Sequence, residues 1–254
     1  MERLVLDVGN TKTAVGVFVD GKLAESWRIT TFHWTADDLW VIMGSLLGSG
    51  GTGLPQAMAF ATVVPQVRHS LREFSGRFLE VEPVEVDVET AGVKIKYDYP
   101  GEIGADRLAN TVGAMKLGGL PAIVVDFGTA TTFDAVDASG AFLGGVISPG
   151  VGTAAAELFK KAEKLNPVDL RFPDTVIGKS TSHAVRSGVL LGAVGATDYI
   201  VRRLISEMEG EPTVWATGGW AEMMTAHCDT GMKLCPELTL VGIDSIGERY
   251  GHGK

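Results

Sequence analysis

Two short segments carry the same groups in the same order. Asp7-Val-Gly-Asn-Thr-Lys-Thr13 and Asp126-Phe-Gly-Thr-Ala-Thr-Thr132 each set a carboxylate at the end of an apolar run, with a glycine two residues on and hydroxyl side chains after it. Such a turn suits a phosphorylated ligand. Gly9 or Gly128 lets backbone N–H groups approach an anion, the Thr and Asn side chains add donors, and the Asp can hold a hydrated Mg2+ bridging phosphate oxygens. Lys12 could add positive charge to the first turn. The same spacing also makes an ordinary hairpin turn, since Asp and Gly are what tight turns favour. What favours the chemical reading is repetition in register: Asp126 lies 119 residues beyond Asp7 (126 − 7), and Gly128, Thr132 and Gly140 stand at that offset from Gly9, Thr13 and Gly21. Two acidic turns facing each other across a cleft can grip a triphosphate and its cation from both sides.

A second constellation is Tyr97-Asp-Tyr-Pro-Gly-Glu-Ile-Gly-Ala-Asp-Arg107, which runs into the amphipathic pattern Leu108, Val112, Met115. Gly104, Ala105, Asp106 and Arg107 therefore stand at a helix entrance, where free N–H groups favour anions. Asp106 could accept a proton from a substrate hydroxyl, and Arg107 could neutralise a carboxylate or phosphate. The alternative is structural: Asp106 capping the helix and Arg107 pairing with a surface carboxylate. A third segment, Val214-Trp-Ala-Thr-Gly-Gly219, is an apolar strand ending in two glycines, either a backbone against which adenine could lie flat or simply a strand closed by a turn.

The elements that must position these groups follow from the same repeat. Each half reads as strand, polar turn, strand, Gly turn and third strand (22–29 and 141–147). The first half continues with a helix over 36–47, a strand over 57–62, a helix over 66–78, a strand near 84–86 and a helix over 105–117. The second continues with helices over 152–164 and 182–209, a strand over 213–217, a short helix after Gly219, a strand over 238–241 and a terminal helix. Both are βββαβαβα, giving domains 1–118 and 119–254 joined near Gly118-Gly119-Leu120-Pro121, with a ligand cleft between them. The Gly-rich stretch 48–53 reads as a surface loop. Along 182–209, Val185, Val189, Gly192, Ala196 and Tyr199 recur at helical spacing, which suits close helix packing in the core or across a dimer interface, with Gly188 and Gly195 adding to it.

Composition narrows the classes. Hydrophobic residues make up 45% and charged residues 21%, which is globular rather than disordered. Glycine is the departure, 33 in 254 residues against about 7% ordinarily, and asks for Gly-rich loops. A net charge of −9 supplies no field for nucleic acid or an anionic membrane. The chain opens directly into a strand pattern, and its longest uncharged stretches, 39–67 and 138–156, are broken by Gly and Pro, so a cytoplasmic protein without a spanning helix is expected. Cys228 and Cys235 lack the paired spacing of a zinc site, as do His33, His69 and His183. Trp27, Trp34 and Trp40 read as core or interface residues. Gly178-Lys-Ser180 imitates the end of a P-loop, but Pro173 occupies the first glycine position. No G-x-G-x-x-G follows a strand with an acidic residue beyond it, which leaves dinucleotide binding without support.

Taken together, Asp7-Val-Gly-Asn-Thr11, Gly104-Ala-Asp-Arg107, Asp126-Phe-Gly-Thr-Ala-Thr131, Gly144-Gly-Val-Ile-Ser-Pro-Gly150 and Gly178-Lys-Ser-Thr181 closely resemble the type III pantothenate kinase family, in family order over essentially the whole chain. The resemblance implies the duplicated ribonuclease H-like, actin-like ATPase fold of the acetate and sugar kinase, Hsp70 and actin superfamily: two βββαβαβα domains around a central cleft. It implies ATP-dependent phosphorylation of pantothenate, the first step of coenzyme A synthesis, with Mg2+ and a monovalent cation, K+ or NH4+, in a homodimer. Carried over by position, Asp7, Val8, Gly9, Asn10, Thr11, Lys12, Thr13 and Ala14 would form the first ATP loop, and Thr129 would meet ATP from the second. Asp126 would bind the monovalent cation and Asp106 would be the general base. Tyr97, Gly104, Ala105, Asp106, Arg107 and Thr181 would line the pantothenate pocket. Two alternatives stand beside this. Another small-molecule kinase of the same fold would keep both turns but has no reason to carry Tyr97 with Gly104 to Arg107. A non-catalytic relative would be favoured by loss of Asp7, Asp106 or Asp126, and all three are present.

Overall fold

The computed structural model describes residues 1–48, 54–162 and 164–250; the 48–53 loop reading, apart from Gly48, falls outside them. The chain divides into two compact units, the first made of Met1–Gly118, Gly140–Phe142 and Glu237–Lys254, the second of Gly119–Ser139 and Leu143–Pro236.

In the first unit β1 (Glu2–Val8), β2 (Lys12–Val19), β3 (Lys22–Thr30), β4 (Ala57–Thr62) and β5 (Val84–Glu85) form one sheet in the order β3-β2-β1-β4-β5. β2 runs antiparallel to β1, and β4 runs parallel to it. Both faces of this sheet are covered, which is why β4, Ala57–Thr62, is buried at every position. Leu4, Leu6 and Val8 point to the face packed by α1 (Ala36–Gly48) and α2 (Pro65–Phe74). Val5, Ala59 and Ala61 point to the other, packed by α4 (Ala105–Leu117) and α9 (Leu238–Tyr250). Thr35 and Asp38 exchange hydrogen bonds as a box before α1, and Pro65 takes the first position of α2, where its missing N–H costs nothing. α2 continues into a π-helical turn, Ser75–Leu79. A two-turn connection, α3 (Val88–Ala91) and a 3-10 turn at Pro100–Glu102, leads to α4.

The second unit repeats the plan with β6 (Ala122–Phe127), β7 (Ala130–Val136), β8 (Phe142–Pro149), β9 (Thr213–Thr217) and β10 (Lys233–Leu234) in the order β10-β9-β6-β7-β8. α5 (Val151–Lys161), α6 (Thr181–Arg186), the π segment Ser187–Leu191, α7 (Gly192–Glu207) and α8 (Ala221–Thr225) complete it. Ile123, Val125 and Phe127 of β6 pack with Leu190, Val201 and Met224 in its core. The helix Thr181–Glu207 is long and apolar enough to cross a membrane by length and composition alone, a test that core helices of globular proteins also pass. Here buried Asp198 in its middle accepts hydrogen bonds from the Asp229 and Thr230 N–H groups and the Thr230 hydroxyl.

Three sequence expectations are corrected. Residues 238–241 are not a strand but the first turn of α9, and the strand of that region is Lys233–Leu234. The run Leu-Thr-Leu-Val favours a strand locally, but buried Leu238, Leu240 and Ile243 belong on a helix face against α4, and tertiary packing overrides the local preference. For the same reason the second unit does not extend to 254: α9 joins the first, where a Cβ at Gly242 would overlap the Ala109 carbonyl and Arg3 pairs with Asp244. Finally, among the described residues a Cβ at Gly188, Gly192 or Gly195 would meet nothing within 4 Å, which removes the core alternative for these glycines and leaves the dimer-interface one.

Candidate active site

β1 and β4 run parallel, so their C-terminal ends lie side by side, Val8 opposite Thr62. The turn from Gly9 to Lys12 is closed by the Gly9 N–H donating to the Lys12 carbonyl at 3.1 Å, and a Cβ at Gly9 would stand 3.0 Å from that oxygen. Asn10, Thr11 and Lys12 are exposed at the tip, while Val8 and Thr13 are sealed inside, the Thr13 hydroxyl against Thr31 at 2.9 Å. Lys12 Nζ donates to Thr30 Oγ1 at 2.9 Å. Asp7, half-buried beside Ala14 and Ala61, alternates with Val5 onto the face covered by α4.

That same face carries the second constellation. Gly104 is the N-cap of α4 and offers no side chain to its first turn. A Cβ there would overlap Asp106 Oδ1 and touch Val63 Cγ1 at 3.7 Å. Val63 in turn donates its N–H to the Val8 carbonyl at 3.3 Å. The acidic turn and the acceptor helix thus meet through Val63 at one end of one sheet. Asp106 is half-buried with Arg107 N–H on its Oδ1 at 2.8 Å. Burial raises its carboxyl above the ordinary value of 3.8, and the Arg107 contacts only partly offset this. Arg107 itself is 5% exposed, its guanidinium 5.3 Å from the centre of the Phe142 ring. Tyr97 meets the same ring edge-on, with centroids 5.9 Å apart.

In the second unit the corresponding turn is one residue tighter: Gly128 N–H reaches the Ala130 carbonyl at 3.0 Å, and Asp126 pairs with Thr132 where Asp7 pairs with Ala14. Thr132 therefore shares the face of Asp126, whereas its sequence counterpart Thr13 points away from Asp7. Thr129 is exposed at the tip, and its carbonyl accepts the Gly150 N–H at 3.1 Å and the Thr153 hydroxyl at 2.6 Å, which seats the N-terminus of α5 on the turn. The third segment converges here too. Gly218, at φ +95°, lies so close that a Cβ would overlap Asp126 Oδ1, and Trp220 N–H donates to the Phe127 carbonyl at 3.1 Å. Thr181, exposed at the start of α6, makes none of these contacts. Val63 and Phe142 are the residues sequence reasoning missed; the parallel pairing that sets Val63 beside Val8 involves residues 55 positions apart, with no chemical signature.

Among the described residues no group of three or more His, Cys, Asp or Glu could hold a metal. Both cysteines are free, and burial, then Asp198 and Asp229, push the Cys228 thiol up to about 12.

Two copies of one βββαβαβα plan, each ending its first strand in an Asp-x-Gly turn, define the fold class of sugar kinases and actin-like ATPases. Solved structures agree: a Baf family protein from Campylobacter jejuni superposes with a TM-score of 0.62 at 17% identity, covering 98% of this chain and 100% of that one. A ROK family glucokinase from Streptomyces griseus, in complex with glucose and AMPPNP, gives 0.55 at 13%, covering 98% and 100%. Within that class the sequence is specific. The profile of type III pantothenate kinase matches residues 3–203. The type III pantothenate kinase of Desulfatibacillum aliphaticivorans is 43% identical over 254 residues, covering 98% of this chain and 99% of that one. That of Roseiflexus sp. is 40% identical over 249 residues, covering 96% and 98%. The chain belongs to the type III pantothenate kinase family.

Proposed function

We propose that Asp106 is the general base of the reaction and that the acidic turns carry the groups that contact ATP. The family's reaction is ATP-dependent phosphorylation of pantothenate, which opens coenzyme A synthesis. What supports the site assignment is the short path from the first turn to Asp106: the Val63 N–H donates to the Val8 carbonyl, and Val63 Cγ1 and Asp106 Oδ1 both lie where a Cβ on Gly104 would meet them.

The pantothenate hydroxyl oxygen attacks the γ-phosphorus as the bond to the bridging oxygen of ADP breaks, and the hydroxyl proton passes to Asp106. A carboxylate of ordinary pKa, about 3.9, cannot deprotonate an alcohol beforehand, so the proton moves late and most catalysis comes from alignment and charge neutralisation. The raised carboxyl of Asp106 narrows the mismatch. Gly9, Asn10, Thr11 and Lys12 approach the phosphates from the first turn and Thr129 from the second; Val8, Thr13 and Ala14 shape the hairpin. Tyr97, Gly104, Ala105, Arg107 and Thr181 line the acceptor pocket, with Arg107 toward the pantothenate carboxylate.

Asp7 is a hard oxygen donor at a strand end and suits Mg2+ completed by phosphate and water oxygens. Asp126 suits K+ or NH4+: the space a Cβ would fill at Gly218 is taken by Oδ1, so the carboxylate is held in a fixed place. Bound there, these cations would neutralise phosphate charge. The chain works as a homodimer in the cytoplasm. Exposed Val176, Ile177 and Tyr199, together with helix glycines open to space, support a covering copy. A coupled ADP-release assay comparing pantothenate with simple sugars and acetate, with and without K+, tests the reading. Pantothenate-dependent turnover that K+ raises supports it, and turnover with sugars or acetate alone refutes it.

A further inference from the structure

Phe142 is fully buried, yet it heads β8, most of which belongs to the second unit, while its own packing is in the first. Its main chain is clamped on both sides: its N–H donates to the Lys94 carbonyl at 2.8 Å, and its carbonyl accepts the Lys96 N–H at 2.8 Å, bridging Ile95. With its main chain fixed on both sides and its ring fully enclosed, Phe142 offers its neighbours a fixed surface. The neighbours are Arg107, with its guanidinium over the ring, and Tyr97, which meets the ring edge-on at an interplanar angle of 64°.

We infer that Phe142 is a positioning residue for the acceptor, a fixed aromatic plate that sets the guanidinium of Arg107 and the ring of Tyr97 where the anionic end of the substrate binds. The inference rests on the assignment of Arg107 and Tyr97 to the pantothenate pocket. The ring does not touch the reacting atoms, so its removal acts on acceptor affinity. A guanidinium is planar and is attracted to the negative face of an aromatic ring; when desolvated, as here, that attraction is at its strongest. Without the plate, the Arg107 guanidinium loses one of the contacts that orient it, and the substrate must supply part of that order, which weakens binding.

The test uses the full-length enzyme with pantothenate and ATP varied separately. Phe142→Leu removes the ring, and pentafluorophenylalanine at the same position keeps its shape while inverting the charge distribution of its face. Both should raise KM for pantothenate about 5- to 30-fold and change kcat and KM for ATP by less than about threefold. The fluorinated protein should melt within a few degrees of the natural one, because its packing volume is nearly conserved. An unchanged KM for pantothenate in the fluorinated protein overturns the inference. Arg107→Lys separates the two levels: if it raises KM for pantothenate while the fluorinated ring does not, only the role of Phe142 fails. If Arg107→Lys also leaves KM unchanged, the acceptor assignment fails with it.

Discussion

The Arg107 N–H donates to Asp106 Oδ1 at 2.8 Å, so the carboxylate folds back on the first turn of its own helix. Burial raises the carboxyl of Asp106 above 3.8, which means the folded state binds the proton more tightly than the unfolded chain. Stability then falls as pH rises from the unfolded value, about 3.9, through the folded one, and the penalty is fully present above both. Asn at 106 keeps the oxygen that accepts the Arg107 bond and discards the charge. Asp106→Asn should therefore melt above the natural protein at pH 8, with the gap closing as pH falls toward 4; calorimetry across that range checks it. A lower melting point at pH 8 would contradict the desolvated carboxylate.

Gly218 should tolerate nothing larger. At φ +95° an L-residue costs about 1–3 kcal/mol from the backbone alone. A Cβ would in addition stand 2.7 Å from the Phe127 backbone and on top of Asp126 Oδ1. Gly218→Ala should lower the unfolding midpoint and, if Asp126 holds the cation as proposed, abolish the stimulation of turnover by K+, because Asp126 must move. Unaltered K+ dependence would remove Asp126 from the cation site.

Arg3 and Asp244 form a buried ion pair, Nη1 to Oδ1 at 2.5 Å, with side chains 4% and 5% exposed. Asp244→Ala leaves a buried guanidinium without its counter-charge, a change that typically costs about 3–5 kcal/mol. Denaturant unfolding should show a loss of that order. A loss under about 1 kcal/mol, typical of exposed pairs, would mean that the pair does not hold α9 in the first unit.

The homodimer proposal makes a hydrodynamic prediction. Light scattering should give twice the 26.8 kDa chain mass for the natural protein. Tyr199→Glu, which puts a charge on the exposed face of α7, should shift it toward the single-chain mass.

The repeat made much of this readable in advance. Asp7 and Asp126 can be paired from the sequence because both halves kept the same carboxylate and glycine, and β4, α4 and β9 fall where apolar runs and flanking glycines place them. What escaped depends on distant partners. Residues 238–241 have the composition of a strand and become helix because Gly242 and Gly113 let α9 lie against the backbone of α4. Thr13 and Thr132 align in sequence but face opposite ways, since a turn shorter by one residue reverses every later side chain. Phe142 carries no local sign of its role, because both aromatic and cationic partners come from 35 or more positions earlier.

On the proposed mechanism, Asp106 takes the proton from the pantothenate hydroxyl. Steady-state turnover of Asp106→Asn, measured with saturating ATP and pantothenate alongside nucleotide affinity by calorimetry, tests it most directly. The expected result is kcat lower by about 10²- to 10⁴-fold, the usual range for a general base, with ATP affinity nearly intact. Turnover of the Asn enzyme near the natural rate would contradict it.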